Sequence, residues 1–359
     1  MADALTDLLD TDDLRQRIHK ALAEFLAKQV SALEAIGAEL GPVGAALQEF
    51  VLDGGKRVRP AFCYWGWRGA GGPDNDEIVT AASALELVHS GALIHDDVMD
   101  ASDTRRGRPA IHRRFERNHV ASGWRGDPAA FGTSAAILLG DLCLIWADQM
   151  LLASGLPGES LVRGRPTFDL MQSEVMAGQY LDVVEQARGT GSVESALRVA
   201  RYKTAKYTIE RPLQLGAELA GAGRAVITAY SAYGVPLGEA FQLRDDILGV
   251  FGDPAETGKP AGDDLRQGKR TVLAAMAAER ASAEQTDVLE RCIGDRHLDE
   301  AGVAAVRAII EATGVLADVE RMVAERADEA VAALGAAQLD QAAVAALTGL
   351  ARAAATRRG

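Results

Sequence analysis

Cysteine is scarce in this chain: Cys63, Cys143 and Cys292 lie far apart and match no zinc or redox spacing. That excludes a disulfide framework and fits buried thiols in a reducing cytoplasm. Aromatic residues are also few, 5% of the chain against a hydrophobic fraction of 48%, so the core must be built from Ala, Leu and Val, which favour or tolerate helix. Strand-like alternation is nearly absent, which argues against a sheet. Positive charge is in deficit. With 38 bases against 51 acids and a formal net charge of −13, neither a nucleic-acid backbone nor an anionic membrane is the default partner. No uninterrupted apolar run approaches the ~20 residues of a membrane span. The best, AAILLGDLCLIWA, is broken by Asp141. The amino terminus, MADALTDLLDTDD, is acidic where a secretory signal would be basic and then apolar, and the final TRRG holds no cysteine for prenylation. These absences predict a cytoplasmic protein with no transmembrane segment. Glycine and proline gather in no linker-like tract, so 1–359 reads as a single domain.

What is present is helical periodicity. Apolar residues recur at helix spacing over about 14–36, 43–52, 76–100, 133–154, 166–187, 193–219, 224–251, 269–280, 299–312, 313–335 and 339–355. Breaks fall at GAGGPDND (69–76), around 118–132, at GLPGES (155–160) and at GDPAETGKPAGDD (252–264). The fold class is all-α, with Tyr64, Trp65 and Trp67 as core residues.

Charge comes in blocks. The segment LIHDDVMDASDTRRGRP runs from an apolar stretch into Asp96, Asp97, Asp100 and Asp103 and then into Arg105 and Arg106. On a helix Asp96 and Asp100 share one face a turn apart, with Asp97 about 100° round. Like charges so placed repel unless water dilutes them or a cation uses them. Hard oxygen ligands suit magnesium, which keeps several waters and bridges carboxylates to phosphate oxygens. A fainter echo, RDDILG at 244–249, puts Asp245 and Asp246 near the end of another long apolar helix, and two such ends could face one another across a bundle. Cations accompany both pairs: Lys56, Arg57 and Arg59 in GGKRVRP, Arg105 and Arg106, then Lys203, Lys259, Lys269 and Arg270. Arginine forks grip phosphate bidentately and lysine acts as a point charge. In so acidic a chain this pattern suggests two anion sites, one reached through metal and one gripped directly. Taken alone, DDxxD is equally a solvated acidic helix end, and His89 or Gln242 a satisfied polar core residue. Upstream of Asp96 the helix reads ALELVHSGALIH, so the face below the aspartates is small and apolar at Ala92, Gly91, Val88 and Leu85. A hydrocarbon tail with a diphosphate head fits such a face.

GGKRVRP, then His89, HDDVMDASDTRRGRP, GQYLD, KT, and FQLRDDILGVFGDP followed by TGKPAGDDLRQGKRT together resemble the trans-isoprenyl diphosphate (polyprenyl) synthases, in order, over about residues 54–271. The resemblance implies a single large helical bundle of the isoprenoid synthase type around a central elongated apolar cavity. It also implies a geranylgeranyl diphosphate synthase-like enzyme that condenses isopentenyl diphosphate with an allylic diphosphate. Asp96, Asp97 and Asp100 would hold two magnesium ions and Asp245 with Asp246 a third, three per active site. Arg105, Lys203, Thr204, Gln242 and Lys259 would serve the allylic substrate. Lys56, Arg59, His89 and Arg106 would hold isopentenyl diphosphate. A homodimer is implied as well.

One position departs from the family pattern: many relatives carry a third aspartate where this chain has Gly249, which leaves the roles of Asp253, Asp263 and Asp264 open. In the family a bulky residue four or five places before the first aspartate resembles a floor under the growing chain; Ala92 and Gly91 remove it. Deeper residues, Val88 and Leu85 here and Leu142, Ile145 or Trp146 on the helix opposite, would then set the limit. The expected product is geranylgeranyl diphosphate, with longer polyprenyl chains as the nearest alternative. A class I terpene cyclase would leave GGKRVRP, His89 and Arg106 without a task. A non-catalytic partner subunit is the reading from a different class, and the intact aspartate pairs and cations speak against it.

Overall fold

In the computed structural model the described residues are 13–189, 191–253 and 262–356, and helix dominates them. In chain order they form α1 (Leu14–Ile36), α2 (Gly41–Leu52), α3 (Val58–Gly69), α4 (Asp76–Met99), α5 (Ile111–Ala121), α6 (Pro128–Leu152), α7 (Gly158–Arg188) and α8 (Val193–Val199). A π-helical stretch (Ala200–Glu210) follows, then α9 (Arg211–Leu219), α10 (Arg224–Phe251), α11 (Asp263–Arg266), α12 (Val272–Arg280), α13 (Ala283–Cys292), α14 (Glu300–Ala312), α15 (Val315–Ala333) and α16 (Gln341–Thr356). The sheet among the described residues is one hairpin, β1 (Thr104–Arg105) against β2 (Arg108–Pro109). The all-α expectation holds. Backbone packing divides these residues into two units, 13–64 with 73–161 and 65–72 with 162–356.

In the first unit, α1 buries Leu14, Ile18, Leu22 and Leu26, a single stripe at i, i+4 spacing. Helix α4 starts where the Asn75 side chain accepts the Ile78 amide at 3.1 Å, with Asp76 and Glu77 in the first turn complementing the helix dipole. It is buried along most of its length and lies against α6. The approach is close because two glycines meet: a Cβ on Gly91 would stand 2.9 Å from the Gly140 carbonyl oxygen. Helices α4 and α6 are both long and apolar enough by composition to cross a membrane, with mean hydropathies of 1.3 and 1.7. The apolar window of α4 is 72% buried and that of α6 only 33%, because Ile137, Leu138, Ile145 and Leu152 of α6 are exposed.

In the second unit, Leu243, Ile247 and Val250 of α10 share a core with Val272 and Leu273 of α12, Val306 and Ile310 of α14 and Val319 and Val323 of α15. The stretch α8–π–α9 is continuous, which matches the single helix expected over 193–219, but its middle is wound with wider turns. Pro212 follows that stretch; lacking an N–H and clashing with the carbonyl four residues back, proline disfavours an ordinary α-turn there. A π-turn is fatter than an α-turn and needs neighbours without side chains. Gly178, Gly234 and Gly238 supply them: Cβ atoms at those positions would meet Lys203 N at 2.5 Å, Glu210 Cα at 2.6 Å and Ala205 Cα at 2.2 Å.

The periodicity did not disclose α3, α5, α11, α13 or the hairpin. Pro60 and Gly66 obscure α3, and α5 carries its buried stripe on only Ile111, Phe115 and His119 with His112 beside them. Tyr64, Trp65 and Trp67 are buried as expected. Cys63 and Cys143 are buried free thiols, and burial pushes the Cys143 thiol up to about 12.

Candidate active site

The first acidic motif closes α4. Asp96 and Asp100 lie half-buried a turn apart, and the Asp100 amide caps the helix by donating to the Asp96 carbonyl at 2.8 Å. Asp97 turns inward and is fully buried, its Oδ1 gripped by the Arg105 guanidinium, whose Nε donates at 2.9 Å. Arg105 also stands 3.6 Å from Asp96. Burial pushes the Asp97 carboxyl above its ordinary range, and Arg105 works against that rise. The hairpin fixes both arginines. Its two-residue turn is Arg106–Gly107 with φ of 53° and 74°, the left-handed pair of a type I′ connection, so Arg106 sits in a conformation non-glycine residues seldom adopt.

Arg106 reaches across to donate to the Asp53 carbonyl at 2.7 Å, beside the Gly54–Gly55 turn that presents Lys56. Both glycines have positive φ, 80° and 89°, so a side chain there would be strained. The next cation, Arg57, is not a substrate candidate. It is buried, bonded to Glu86 of α4 at 2.5 Å and to the Val51 carbonyl at 2.8 Å, and so anchors the loop that offers Lys56 and Arg59. Glu86 was invisible to motif reading because an acid inside ALELVHSGALIH resembles any polar residue on a helix. Removing one member of so buried a pair leaves a stranded charge, on the order of 3–5 kcal/mol. His89, one turn on, is held neutral: burial first, then Arg59, Arg106, Arg105 and Arg57, push its pKa well below the ordinary value. It can therefore donate one hydrogen bond and accept another. Burial likewise lowers Arg106, with Arg57 and Arg105 adding to it.

In the other unit, the π-stretch brings Lys203 and Thr204 against α10. Thr204 Oγ1 donates to Gln242 Oε1 at 2.6 Å, and Gln242 Nε2 donates to Asp246 Oδ1 at 2.8 Å. Lys203 is bonded to Asp182 of α7 at 2.7 Å, a partner that sequence reasoning left outside the site. Glu174 pairs with Lys206 and Arg211, which makes it a structural acid. Asp246 is buried while Asp245 is partly exposed. Burial, with Asp264 and Asp245 close by, pushes the Asp246 carboxyl to about 7. The place of the absent third aspartate is occupied. A Cβ on Gly249 would stand 1.9 Å from Asp264 Oδ2, so the Asp264 carboxylate, held by Lys269 at 2.9 Å, fills the space a side chain at 249 would take. Lys259 lies outside the described residues, and Asp253 is exposed.

Among the described residues no three carboxylate, imidazole or thiol groups converge into a ready-made metal cage. Magnesium does not need one, since it binds through one or two carboxylates plus water and substrate phosphates. The residues fit that mode: Asp96 and Asp100 are paired and accessible, Asp97 Oδ2 is buried with no hydrogen-bond partner, and Asp246 is a carboxyl kept near neutrality until a cation favours its ionised form.

On α4, the stripe that ends at Asp96 passes through Ala92, Val88 and Leu85, the last two fully buried. Gly91 belongs to the neighbouring face with His95, whose Nε2 lies 3.1 Å from the Ile137 carbonyl of α6. A bulky residue at 91 therefore tests helix packing, and Ala92 is the position that reports on the stripe below Asp96. On α6, Trp146 is buried and Ile145 is 51% exposed.

The polyprenyl synthetase family profile matches residues 42–311. The chain is 31% identical to heptaprenyl diphosphate synthase component 2 of Geobacillus stearothermophilus, over 84% of this chain and 96% of that one. It is 33% identical to a geranylgeranyl diphosphate synthase of Mycobacterium tuberculosis, over 72% of this chain and 69% of that one. Among solved structures, a geranylgeranyl pyrophosphate synthase from Corynebacterium glutamicum, complexed with isoprenyl diphosphate and magnesium, superposes with a TM-score of 0.93 at 43% identity, covering 97% of this chain and 100% of that one.

Proposed function

Because the chain belongs to the polyprenyl synthetase family, with its all-α isoprenoid synthase fold and trans-prenyltransferase chemistry, we propose that it extends an allylic diphosphate with isopentenyl diphosphate and releases mainly geranylgeranyl diphosphate. The observation that carries the chain length is Ala92, a small residue one turn below Asp96 on the stripe that continues to Val88 and Leu85. Magnesium is the cofactor, and we assign three ions, two to the Asp96–Asp97–Asp100 motif and one to Asp245 and Asp246.

Bound magnesium supplies Lewis acidity toward the departing diphosphate. The chain's own residues do the rest. Arg105 and Lys203 add fixed positive charge for the allylic diphosphate, with Asp97 and Asp182 holding each cation in place. The allylic cation left behind needs dipoles and no nucleophile. The Thr204 hydroxyl donates its hydrogen bond to Gln242 and so keeps oxygen lone pairs available, while the Asp246 contact fixes the orientation of the Gln242 amide. Lys56, Arg59 and Arg106 hold the second diphosphate, with neutral His89 as a hydrogen-bonding partner. That fixes the isopentenyl double bond as the nucleophile. No side-chain base is placed for the final proton loss, and the released diphosphate is the base we favour.

Purified protein with magnesium, isopentenyl diphosphate and each of the C5, C10 and C15 allylic starters should give C20 as the dominant dephosphorylated alcohol. No elongation from any starter would overturn the reading in favour of a non-catalytic partner subunit. Ala92→Phe should shorten the main product to C15 or below while retaining at least a tenth of the turnover; an unchanged product would remove this stripe from the tail's path.

We further propose a cytoplasmic homodimer, in which a second copy covers the exposed apolar face of α6. Asp141 is exposed on the same helix, which suits a protein partner better than lipid. Light scattering should give the mass of two chains. A single-chain mass across micromolar concentrations would exclude the dimer.

A further inference from the structure

One cavity borders the proposed chemistry and shares Arg105 and Arg106 with it. It encloses about 560 Å³ in the unit containing α4, walled by α2, the hairpin and α5, a size typical of small-ligand pockets. Its floor is apolar, with Phe50 and Ile111, and its lining holds two acids and five arginines, of which Arg105 is already gripped by Asp97, in a protein of net charge −13. The two acids are used. Arg108 pairs with Asp53 at 2.6 Å and with Glu49, and Arg114 pairs with Glu49 at 2.7 Å. Arg117 is exposed and meets no acid among the described residues. Among the described residues Arg106 donates to main-chain carbonyls, those of Asp53 at 2.7 Å and Phe50 at 3.4 Å. Guanidinium forks in excess over an apolar floor match a ligand with a diphosphate head and an alkyl body.

We infer that this cavity is a third anion site, for a short prenyl diphosphate, its head on Arg114 and Arg117 and its alkyl end on Phe50 and Ile111, and that occupancy weakens isopentenyl diphosphate binding through Arg106. The link is geometric. Arg106 lines the cavity, and its guanidinium also reaches the Gly54–Gly55 turn before Lys56: a Cβ on Gly55 would lie 3.4 Å from it. A dianion in the cavity competes for that guanidinium. The regulatory half rests on Arg106 as a contact for isopentenyl diphosphate; the binding half does not.

Calorimetry in EDTA, with geranyl diphosphate and inorganic diphosphate as probes, separates the parts. Arg117→Glu should weaken one geranyl diphosphate binding event at least tenfold while Lys56→Ala leaves that event unchanged, with circular dichroism confirming that both variants fold. Inorganic diphosphate should bind the same event at least fivefold more weakly. Unchanged geranyl diphosphate binding in Arg117→Glu overturns the site, and equal affinity for the two probes overturns the amphiphilic ligand. In turnover, rising geranyl diphosphate should raise the wild-type KM for isopentenyl diphosphate at least threefold and leave that of Arg117→Glu flat, with kcat at low starter within twofold. A rise that persists in Arg117→Glu overturns the regulation. A protein that does not turn over at all refutes the proposed reaction instead, and the calorimetry still decides the site.

Discussion

Asp96→Asn is expected to lower kcat/KM at saturating magnesium by about a thousandfold, roughly 4 kcal/mol of transition-state stabilisation, while shifting Tm by no more than about 2 °C. The two halves of that expectation have separate causes. Asp96 is half-buried at the end of α4, and asparagine keeps its shape. Neutralising it forfeits a 3.6 Å attraction to Arg105 but also relieves repulsion from Asp97 and Asp100, terms of opposite sign and similar size at a partly solvated site. Catalysis has no such compensation. If Asp96 and Asp100 share a dication, loss of one anionic oxygen weakens that site in the ground state and more so as leaving-group charge grows. Steady-state rates across a magnesium titration should therefore show a higher metal requirement as well as a lower plateau. Asp103→Asn is the control. That carboxylate is exposed and bonded to Arg113 at 2.8 Å, and its loss should change turnover less than twofold. More than a tenth of wild-type turnover in Asp96→Asn would remove this residue from the metal site.

The sequence disclosed most of what a repeating pattern can disclose. Ends of α1, α4 and α10 were legible to within a residue, because long apolar stripes and breaks such as PDND mark them. The acidic and basic blocks were legible because charge clusters stand out in an Ala-rich chain. What stayed hidden depends on three-dimensional neighbours. Lys56 and Arg57 are adjacent and chemically alike, yet only the backbone path decides that Arg57 turns inward to Glu86. Asp97 looks like a third member of an acidic row until the hairpin folds Arg105 back onto it. Gly249 reads as a lost carboxylate, and only packing shows Asp264 standing in its place. The π-turns gave no signal, since the apolar spacing over 193–219 reads as one ordinary helix through Pro212 and the glycines that accommodate the wide helix lie on other helices.

That last feature carries the other large effect. Gly238→Ala is expected to destabilise the protein by about 3 kcal/mol and to cut kcat by at least about a hundredfold. A methyl group at 238 would lie 2.2 Å from Ala205 Cα and 2.4 Å from its Cβ, and the first of these is main chain, which cannot swing aside like the end of a long side chain. Either α10 retreats or the π-stretch shifts. Both responses move Thr204, the residue next to Ala205, away from Gln242, and the 2.6 Å hydrogen bond that aims the hydroxyl is lost along with its relay to Asp246. Gly223→Ala supplies the comparison: nothing lies within 4 Å of a Cβ there, its φ is −73°, and the change should cost less than about 0.5 kcal/mol. Urea denaturation and single-turnover rates would check both variants. Should Gly238→Ala keep wild-type stability and rate, the wide helix would not be wedged against α10, and the placement of Lys203 and Thr204 would need a different cause.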